Sequence, residues 1–230
     1  MELKELIELA KKYGACEDDL IYIEKYDNIK EVLENEDCSY WAYWLRKHVE
    51  ELPDDIKRMI ELKACEDSYT TFLLRADIKD LPEDIKRRAE ERCLEEPEYS
   101  YWLIRDVKDL PEDVIRSAQL KICETPEWAY WLLRHFKILP NDIRDIAEKE
   151  CLKYPRWSFS LLIDIEITDD VKKICYEKIL ESSEFSYFMR KRCRDSLPED
   201  IKIRAEEKAY EDEQWRYWLI KDVKDLVMEV

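Results

Sequence analysis

Two neighbouring stretches of sequence decide the fold: residues 95–123, EEPEYSYWLIRDVKDLPEDVIRSAQLKIC, and residues 124–151, ETPEWAYWLLRHFKILPNDIRDIAEKEC. Both pass from a Pro-Glu step through aromatic residues to a Leu-Pro step and end on a cysteine. Weaker copies surround them, and the first aromatic residues of successive copies lie 28, 30, 29, 29, 28 and 30 residues apart. These aromatic residues are Trp41, Tyr69, Tyr99, Trp128, Trp157, Phe185 and Trp215. So regular a period predicts a tandem repeat array.

Each copy predicts two helices, one of the type PEWAYWLLRHF and a second of the type LPEDIKRRAEERC. All eight prolines fall at predicted helix starts, where a missing N–H costs nothing. The second helix has an apolar residue at every fourth position, and cysteine exchanges there with alanine and isoleucine. We therefore predict that Cys93, Cys151 and Cys175 are small core residues, and no metal ligand set is predicted because no paired-cysteine spacing occurs.

The predicted fold is all-α, a right-handed α-solenoid of about seven antiparallel helix pairs in a single domain over residues 1–230. Residues 1–14 predict a capping helix that ends at Gly14, the one glycine of the chain. Residues 15–38 form a divergent first repeat, residues 39–226 the tandem repeats, and residues 227–230 a tail.

The amino-acid composition of the chain excludes several classes of function. One glycine in 230 residues excludes phosphate-binding loops and dinucleotide fingerprints, so no cofactor is predicted. The formal net charge of −17 disfavours nucleic acid and anionic membranes and favours a partner with a basic surface. No apolar run approaches the length of a membrane span, and the first residues resemble a soluble helix, so we expect a cytoplasmic protein.

The aromatic residues of the first helix predict two surfaces. Trp128, Trp131, Leu132 and His135 share one helical face, which we assign to the core between repeats. The third aromatic of each copy points elsewhere, and we predict for it an exposed ladder. The ladder consists of Tyr43, Tyr101, Tyr130, Phe159, Tyr187 and Tyr217.

Cations near the end of the first helix form a second candidate ladder. It consists of Lys47, Arg75, Arg105, Arg134, Lys191 and Lys221, with Ile163 breaking the series. These cations suit either an acidic or phosphate-bearing ligand, or pairing with the helix dipole and neighbouring carboxylates. A dense basic cluster adds Arg190, Arg192 and Arg194, and Cys193 within it is a candidate for a lowered thiol pKa.

The pattern Glu-Pro-x-aromatic-[Ala/Ser]-Tyr-x-x-x-Arg at residues 97–105 and 126–134 resembles short two-helix repeats of phage and large-virus proteins. It is also similar to a shortened member of the HEAT-like class of α-solenoids. The resemblance covers roughly residues 38–226 and implies an α-solenoid and a viral origin, which would place the protein in the host cytoplasm. It implies no activity and no functional residues. The Leu-Pro helix start is similar to mitochondrial transcription-terminator repeats, but those are basic and this chain is acidic.

Three functions remain open at this point, and an enzyme is the least favoured class. The first is a non-enzymatic protein-interaction module that binds a partner with a basic face. The second is a viral anti-defence inhibitor whose acidic surface occupies the nucleic-acid site of a host enzyme complex. The third is a nucleotide or nucleic-acid binder that uses the tyrosine and cation ladders. We expect a monomer or a weak homodimer through the C-terminal helix, where Leu226, Val227, Met228 and Val230 are apolar.

Overall fold

The computed structural model describes residues 1–35, 38–194, 196–223 and 226. Every regular element within these residues is an α-helix, and none is a strand. Neighbouring helices pack in consecutive pairs, so the predicted α-solenoid of helical repeats is confirmed as the fold class. No helix in the described residues is both long and apolar enough to cross a bilayer.

Three helices precede the regular repeats: α1 (Leu3–Lys12), α2 (Glu17–Ile23) and α3 (Ile29–Glu34). The α1 helix buries Leu3, Leu6 and Ala10, as a capping helix should. Gly14 follows it with a φ of 83°, and its N–H donates a hydrogen bond to the carbonyl of Lys11. The predicted glycine cap is therefore confirmed, since this backbone conformation suits a residue without a Cβ.

Each regular repeat contributes a first helix, which we call helix A, and a second, helix B. The A helices are α4 (Ser39–His48), α6 (Ser68–Asp77), α8 (Pro97–Asp106), α10 (Pro126–His135), α12 (Pro155–Asp164), α14 (Ser183–Arg192) and α16 (Glu213–Asp222). The B helices are α5 (Asp54–Ala64), α7 (Glu83–Cys93), α9 (Glu112–Ile122), α11 (Asn141–Cys151), α13 (Asp169–Ile179) and α15 (Glu199–Tyr210). Residues at the same position of helix A or helix B are structurally equivalent between repeats.

The chain divides into two compact units, Met1–Lys121 and Ile122–Val230. In the first unit, α4 packs on its own helix B, α5, and on the next helix A, α6. In the second unit, α10 packs in the same way on α11 and α12. Each unit thus has the packing of a solenoid, in which a repeat contacts its neighbours. The single domain over residues 1–230 stays a prediction.

The core is built from fixed positions of both helices. The seventh residue of every helix A is fully buried, and these residues are Leu45, Leu74, Leu103, Leu132, Leu161, Met189 and Leu219. The stripe of helix B is buried as predicted, apart from the half-buried Val171. Cys93, Cys151 and Cys175 lie in this stripe, and burial raises the pKa of each thiol to about 12. Their predicted role as core residues is confirmed.

The fourth residue of helix A is small in the six A helices before α16, which carries Arg216 there, and where it is a serine its hydroxyl bonds the end of the preceding helix B. The Ser100 hydroxyl donates a hydrogen bond to the Cys93 carbonyl at 3.1 Å, and the Ser158 hydroxyl donates to the Cys151 carbonyl at 3.4 Å. Both serines are fully buried. These bonds satisfy carbonyls in the last turn of helix B that have no partner within that helix.

The second repeat corrects the sequence alignment by one residue. Helix α6 begins at Ser68, 29 residues after Ser39, so Tyr69 is equivalent to Tyr40 and not to Trp41. The same shift moves Arg75 from the ninth position of helix A to the eighth, so Arg75 is equivalent to Arg46 of α4. The placement of Tyr69 in the aromatic series and of Arg75 in the cation ladder was wrong. Threonine replaces the aromatic residue at the third position of α6, so the alignment matched the neighbouring Tyr69 to Trp41 instead.

Leu226 packs against a small apolar cluster that contains Tyr187, Ala209, Leu219 and Val223. Val227, Met228 and Val230, which the dimer prediction also used, lie outside the described residues, as does the predicted tail. The homodimer stays a prediction.

Candidate functional site

Successive A helices are joined by a recurring group of three polar side chains, which we call the inter-repeat triad. A tyrosine at the fifth position and a cation at the ninth position of one helix A meet an aspartate at the tenth position of the next helix A. Complete triads are Tyr43–Lys47–Asp77, Tyr130–Arg134–Asp164 and Tyr187–Lys191–Asp222. Tyrosine and aspartate are 34 or 35 residues apart in sequence.

The geometry of the triad is similar in all three places. The tyrosine hydroxyl donates to the aspartate Oδ2 at 2.5 Å from Tyr43, 2.6 Å from Tyr130 and 2.6 Å from Tyr187. The cation contacts the same hydroxyl from one helical turn away, and Lys47 Nζ and Lys191 Nζ each lie 2.6 Å from the aspartate. Each triad therefore holds one repeat against the next through charge-assisted hydrogen bonds.

The pKa values in the triads follow from these contacts. Burial raises the pKa of Tyr43 to about 12, and the hydrogen bond to Asp77 adds to this effect. Burial opposes ionisation of Asp77, but hydrogen bonds from Lys47 and Tyr43 prevail and lower its pKa. The side-chain hydrogen bond from Lys191 is the largest influence on Asp222 and lowers its pKa. Asp77 and Asp222 are therefore held in their charged form.

Three of the six pairs of successive A helices lack a complete triad. Helices α6 and α12 have lost the tyrosine and the cation together, whereas α8 keeps Tyr101 and Arg105 and the next helix A carries His135 in place of the aspartate. Helix α6 has Phe72 and Ala76 at these positions, and Asp106 of the next helix A instead pairs with its own neighbour Arg105. Helix α12 has Phe159 and Ile163, and the next helix A carries Arg192 in place of the aspartate. The tyrosine and the cation are thus kept or lost together in every helix A, which indicates that these two positions act as one structural unit.

The predicted exposed aromatic ladder is wrong for most of its members. Tyr101, Tyr130 and Tyr187 are only 2–3% exposed, Tyr43 is buried as well, and Phe159 is half-buried. The fifth position of helix A faces the next repeat. Only Tyr217 is exposed, at 59%. Burial of these rings removes the stacking surface that the nucleic-acid hypothesis required.

Most of the tryptophans at the positions assigned to the core are instead half-buried, and the exceptions are the buried Trp41 and the exposed Trp218. The Arg105 guanidinium lies 3.8 Å from the centroid of the Trp102 ring, and His135 stacks on Trp131 at 5.2 Å. His135 is itself exposed. The sixth position of helix A, not the fifth, therefore presents aromatic surface beside cations.

The cation ladder does not form one free surface. Lys47, Arg134 and Lys191 belong to triads, and Arg105 pairs with Asp106. Arg75 is buried, because at its true position it points towards helix B, where it pairs with Glu90 at 2.9 Å and also with Asp109 at 3.0 Å. Lys221 is exposed and lies over Trp218, at 4.7 Å from the ring centroid.

Arginine at the eighth position of helix A pairs with glutamate at the eighth position of helix B in three repeats. The pairs are Arg46–Glu61 at 2.6 Å, Arg75–Glu90 at 2.9 Å and Arg190–Glu206 at 2.7 Å. Both side chains of the last pair are 0% exposed. Sequence reasoning missed these buried ion pairs, although arginine and glutamate occur together 15 or 16 residues apart.

The basic cluster at residues 190–194 is divided between different environments. Arg190 is in the core, Arg192 is exposed, and Arg194 is half-buried, with its guanidinium 3.4 Å from the Asp222 carbonyl oxygen. The prediction of a lowered thiol pKa for Cys193 is also wrong. Partial burial raises this pKa and outweighs the opposite influence of Arg192. The cluster as a single contact surface is therefore not supported.

Glu148 occupies the buried eighth position of helix B in a repeat whose helix A has Leu133 instead of arginine. Burial raises the pKa of Glu148, with Arg144 at 3.6 Å as its ion-pair partner. A raised pKa in the folded state means that ionisation of this carboxyl costs stability at neutral pH, and that the cost disappears as the pH falls below its ordinary pKa near 4.5.

We therefore expect Glu148→Gln to raise the midpoint of thermal unfolding at pH 7 and to leave it nearly unchanged at pH 4. Glu127→Gln removes an equal charge from an exposed site and serves as the control. Circular dichroism melts at both pH values provide the measurement. An equal shift at both pH values would contradict the assignment.

Tyr130→Phe removes the hydroxyl that joins Arg134 and Asp164. We expect it to lower the free energy of unfolding by about 1.5–3 kcal/mol, the usual net contribution of a hydrogen bond to a charged group. Tyr217→Phe is the matched control, since the described residues give Tyr217 no carboxylate partner. Urea unfolding followed by circular dichroism measures both variants, and equal effects would show that the triad adds no stability.

Exposed carboxylates recur at the first two positions of helix B, and we call those of the first unit the B-start carboxylates. They are Asp54, Asp55, Glu83, Asp84, Glu112 and Asp113, and all are exposed. Asp84 pairs with Arg58, and Asp113 pairs with Arg87 at 3.1 Å, each across neighbouring B helices. The others have at most a contact within their own helix, such as that between Glu83 and Lys86 at 3.7 Å. Two carboxylates thus recur with each repeat.

Among the described residues, no three histidine, cysteine, aspartate or glutamate side chains form a group that could hold a metal ion. Comparisons of the chain with protein-family models, with curated proteins and with solved structures find no match.

Proposed function

We propose that this protein is a non-enzymatic protein-interaction module whose acidic B-start carboxylates bind a partner with a basic face. The observation that carries the proposal is the periodic row of exposed carboxylates in the first unit. Residues 1–121 hold 32 acidic and 20 basic residues, a net charge of −12 out of −17 for the whole chain. The cations of the chain are largely engaged in triads and ion pairs, whereas Asp54, Asp55 and Glu112 have no ion-pair partner within the described residues.

The spacing of the row suits an extended partner. Neighbouring helices pack about 8–10 Å apart, so one carboxylate pair follows another at about that distance. A basic segment or a row of lysine and arginine residues on a folded partner matches such spacing. Exposed charges act mainly on the association rate and on specificity, so we expect binding that weakens with salt.

The test compares two variants of equal net charge. The first neutralises Asp54→Asn, Asp55→Asn, Glu83→Gln and Glu112→Gln, which leaves the inter-helix pairs of Asp84 and Asp113 intact. The control neutralises four exposed acids in the first turn of A helices by Glu98→Gln, Glu127→Gln, Glu184→Gln and Glu213→Gln. Both changes remove acids from helix N-termini, so their effects on helix stability are matched.

Each protein is used to capture partners from nuclease-treated lysate over a salt series, with quantitative mass spectrometry as readout. We expect one dominant protein that is released at moderate salt, is lost from the B-start variant and is retained by the control. Equal loss from both variants would show that binding depends only on the total charge of the protein, and this would overturn the proposal. The absence of a captured protein would overturn it as well. If the captured protein handles nucleic acid, the viral-inhibitor hypothesis explains the same surface and becomes the favoured function.

A further inference from the structure

Helix α16 presents an inter-repeat triad that lacks its carboxylate. Tyr217 and Lys221 occupy the fifth and ninth positions of this helix A, equivalent to Tyr130 and Arg134 of α10 and to Tyr187 and Lys191 of α14. In the part of the chain that the structure describes, no helix follows α16 to supply an aspartate. Tyr217 is accordingly 59% exposed, whereas the tyrosines of the complete triads are at most 4% exposed.

The surface around this open triad is apolar as well as cationic. Trp218 and Ile220 of the same helix are 37% and 49% exposed, and Lys221 Nζ lies 4.7 Å from the Trp218 ring centroid and 5.6 Å from that of Tyr217. Among the described residues, no carboxylate pairs with Lys221. Large exposed apolar side chains beside such a cation are typical of a surface that another protein element covers.

The two complete triads of the second unit specify what fits such a surface, whereas in the triad of the first unit the following helix A has Thr70 at its third position. The ring of Tyr130 lies 5.6 Å from Trp157, and the ring of Tyr187 lies 5.5 Å from Trp215, where each tryptophan is the third residue of the following helix A. The aspartate that accepts the tyrosine hydroxyl, Asp164 or Asp222, comes seven residues after that tryptophan. An aromatic residue and an aspartate seven positions apart lie two turns apart on one face of a helix.

We propose that Tyr217, Trp218 and Lys221 form a docking site for a partner helix that carries an aromatic residue followed seven positions later by an aspartate. The partner ring stacks on Tyr217, and its carboxylate accepts hydrogen bonds from the Tyr217 hydroxyl and the Lys221 ammonium. This site is independent of the B-start carboxylates and selects an acidic helix rather than a basic surface. A second copy of the chain is not the occupant, because Trp157–Asp164 and Trp215–Asp222 are already engaged within their own unit. The third such pair, Tyr99 and Asp106 of α8, is engaged as well, since Tyr99 packs against the core and Asp106 pairs with Arg105.

The probe is a side-chain-crosslinked helical peptide with the sequence of Glu213–Asp222, EQWRYWLIKD. Its residues Trp215 and Asp222 fit the Tyr187–Lys191 surface, which has the same tyrosine and lysine as the open triad. Crosslinking is needed because a ten-residue helix is marginal in water. The control peptide carries Asp222→Asn, and binding of both to the full chain is measured by fluorescence anisotropy.

We expect saturable binding of the first peptide and at least about tenfold weaker binding of the control, as for loss of one charge-assisted hydrogen bond. The double variant Tyr217→Phe with Lys221→Ile copies the natural Phe159 and Ile163 of α12 and should bind both peptides equally weakly. Circular dichroism verifies that this variant is folded, which we expect because both side chains are exposed.

Equal affinity of the two peptides for the original chain, or no binding, would overturn the proposal. Sedimentation of the chain alone as a dimer that the double variant abolishes would also overturn it, in favour of self-association.

Discussion

Arg190→Ile is expected to destabilise the protein by about 3–5 kcal/mol, because it leaves the Glu206 carboxylate buried without its cation. Both side chains are fully buried, and the guanidinium Nε donates to Glu206 Oε1 at 2.7 Å. A carboxylate that has lost both water and its partner must either ionise at a high cost or take up a proton. Urea unfolding of the variant, followed by circular dichroism, measures the loss.

The repeat sequence itself supplies the compensating change. Helices α8 and α9 carry Ile104 and Gln119 at the positions of Arg190 and Glu206. We therefore expect Arg190→Ile combined with Glu206→Gln to recover more than half of the lost stability, since replacing both partners removes the uncompensated charge. Arg192→Ile is the matched control, because it removes an exposed arginine two residues away, and we expect a change within about 0.5 kcal/mol. A double variant no more stable than Arg190→Ile would contradict the pairing argument.

The fold class was predictable from the sequence because a period of about 29 residues fixes it. Prolines and first-turn acids marked the helix starts, and Gly14 marked the end of α1. At Pro97, Pro126 and Pro155 the helix begins on the proline, whereas the Leu-Pro prolines Pro53, Pro82, Pro140 and Pro198 lie one residue before helix B. The core cysteines followed from their exchange with alanine and isoleucine.

The candidate site was less predictable, because helical spacing shows which residues share a face but not which neighbour that face meets. Tyr130 and Trp131 are adjacent aromatic residues, and only the position of the next helix A decides that the tyrosine is buried. The hydroxyl of Tyr130 needs a partner when it is buried, and Asp164 provides one that lies a full repeat and five residues away. Comparing repeats reveals the pairing of tyrosine with cation, since the two disappear together. It does not reveal the aspartate, because Asp106 follows a helix without the tyrosine and His135 follows one that has it.

The cation ladder failed for a related reason. Cations at the eighth and ninth positions of helix A have opposite surroundings: Arg75 points to helix B, and Lys47 points to the next repeat. An alignment error of one residue exchanges the two environments, because one residue turns a helix by about 100°. The misplaced Tyr69 was enough to cause this error, even though the overall period was correct.

Leu132→Ala is expected to cost about 2–5 kcal/mol, the range for deleting a buried leucine side chain whose cavity only partly closes. Leu132 is fully buried at the seventh position of α10, which packs on both α11 and α12. A cavity there weakens the packing within a repeat and between repeats at once. In a solenoid, stability is the sum of both contributions, so one residue that serves both should cost near the upper end of this range.

Two comparisons separate cavity formation from a general effect of substitution. Leu120→Ala makes the same change at a residue that is 42% exposed, so we expect less than about 1 kcal/mol. Leu132→Met preserves volume and copies Met189 at the equivalent position of α14, so we expect a loss below about 1.5 kcal/mol. Urea unfolding and thermal melts of the three variants test this order. A loss for Leu132→Met as large as that for Leu132→Ala would show that the shape of leucine, and not the buried volume, holds the repeats together.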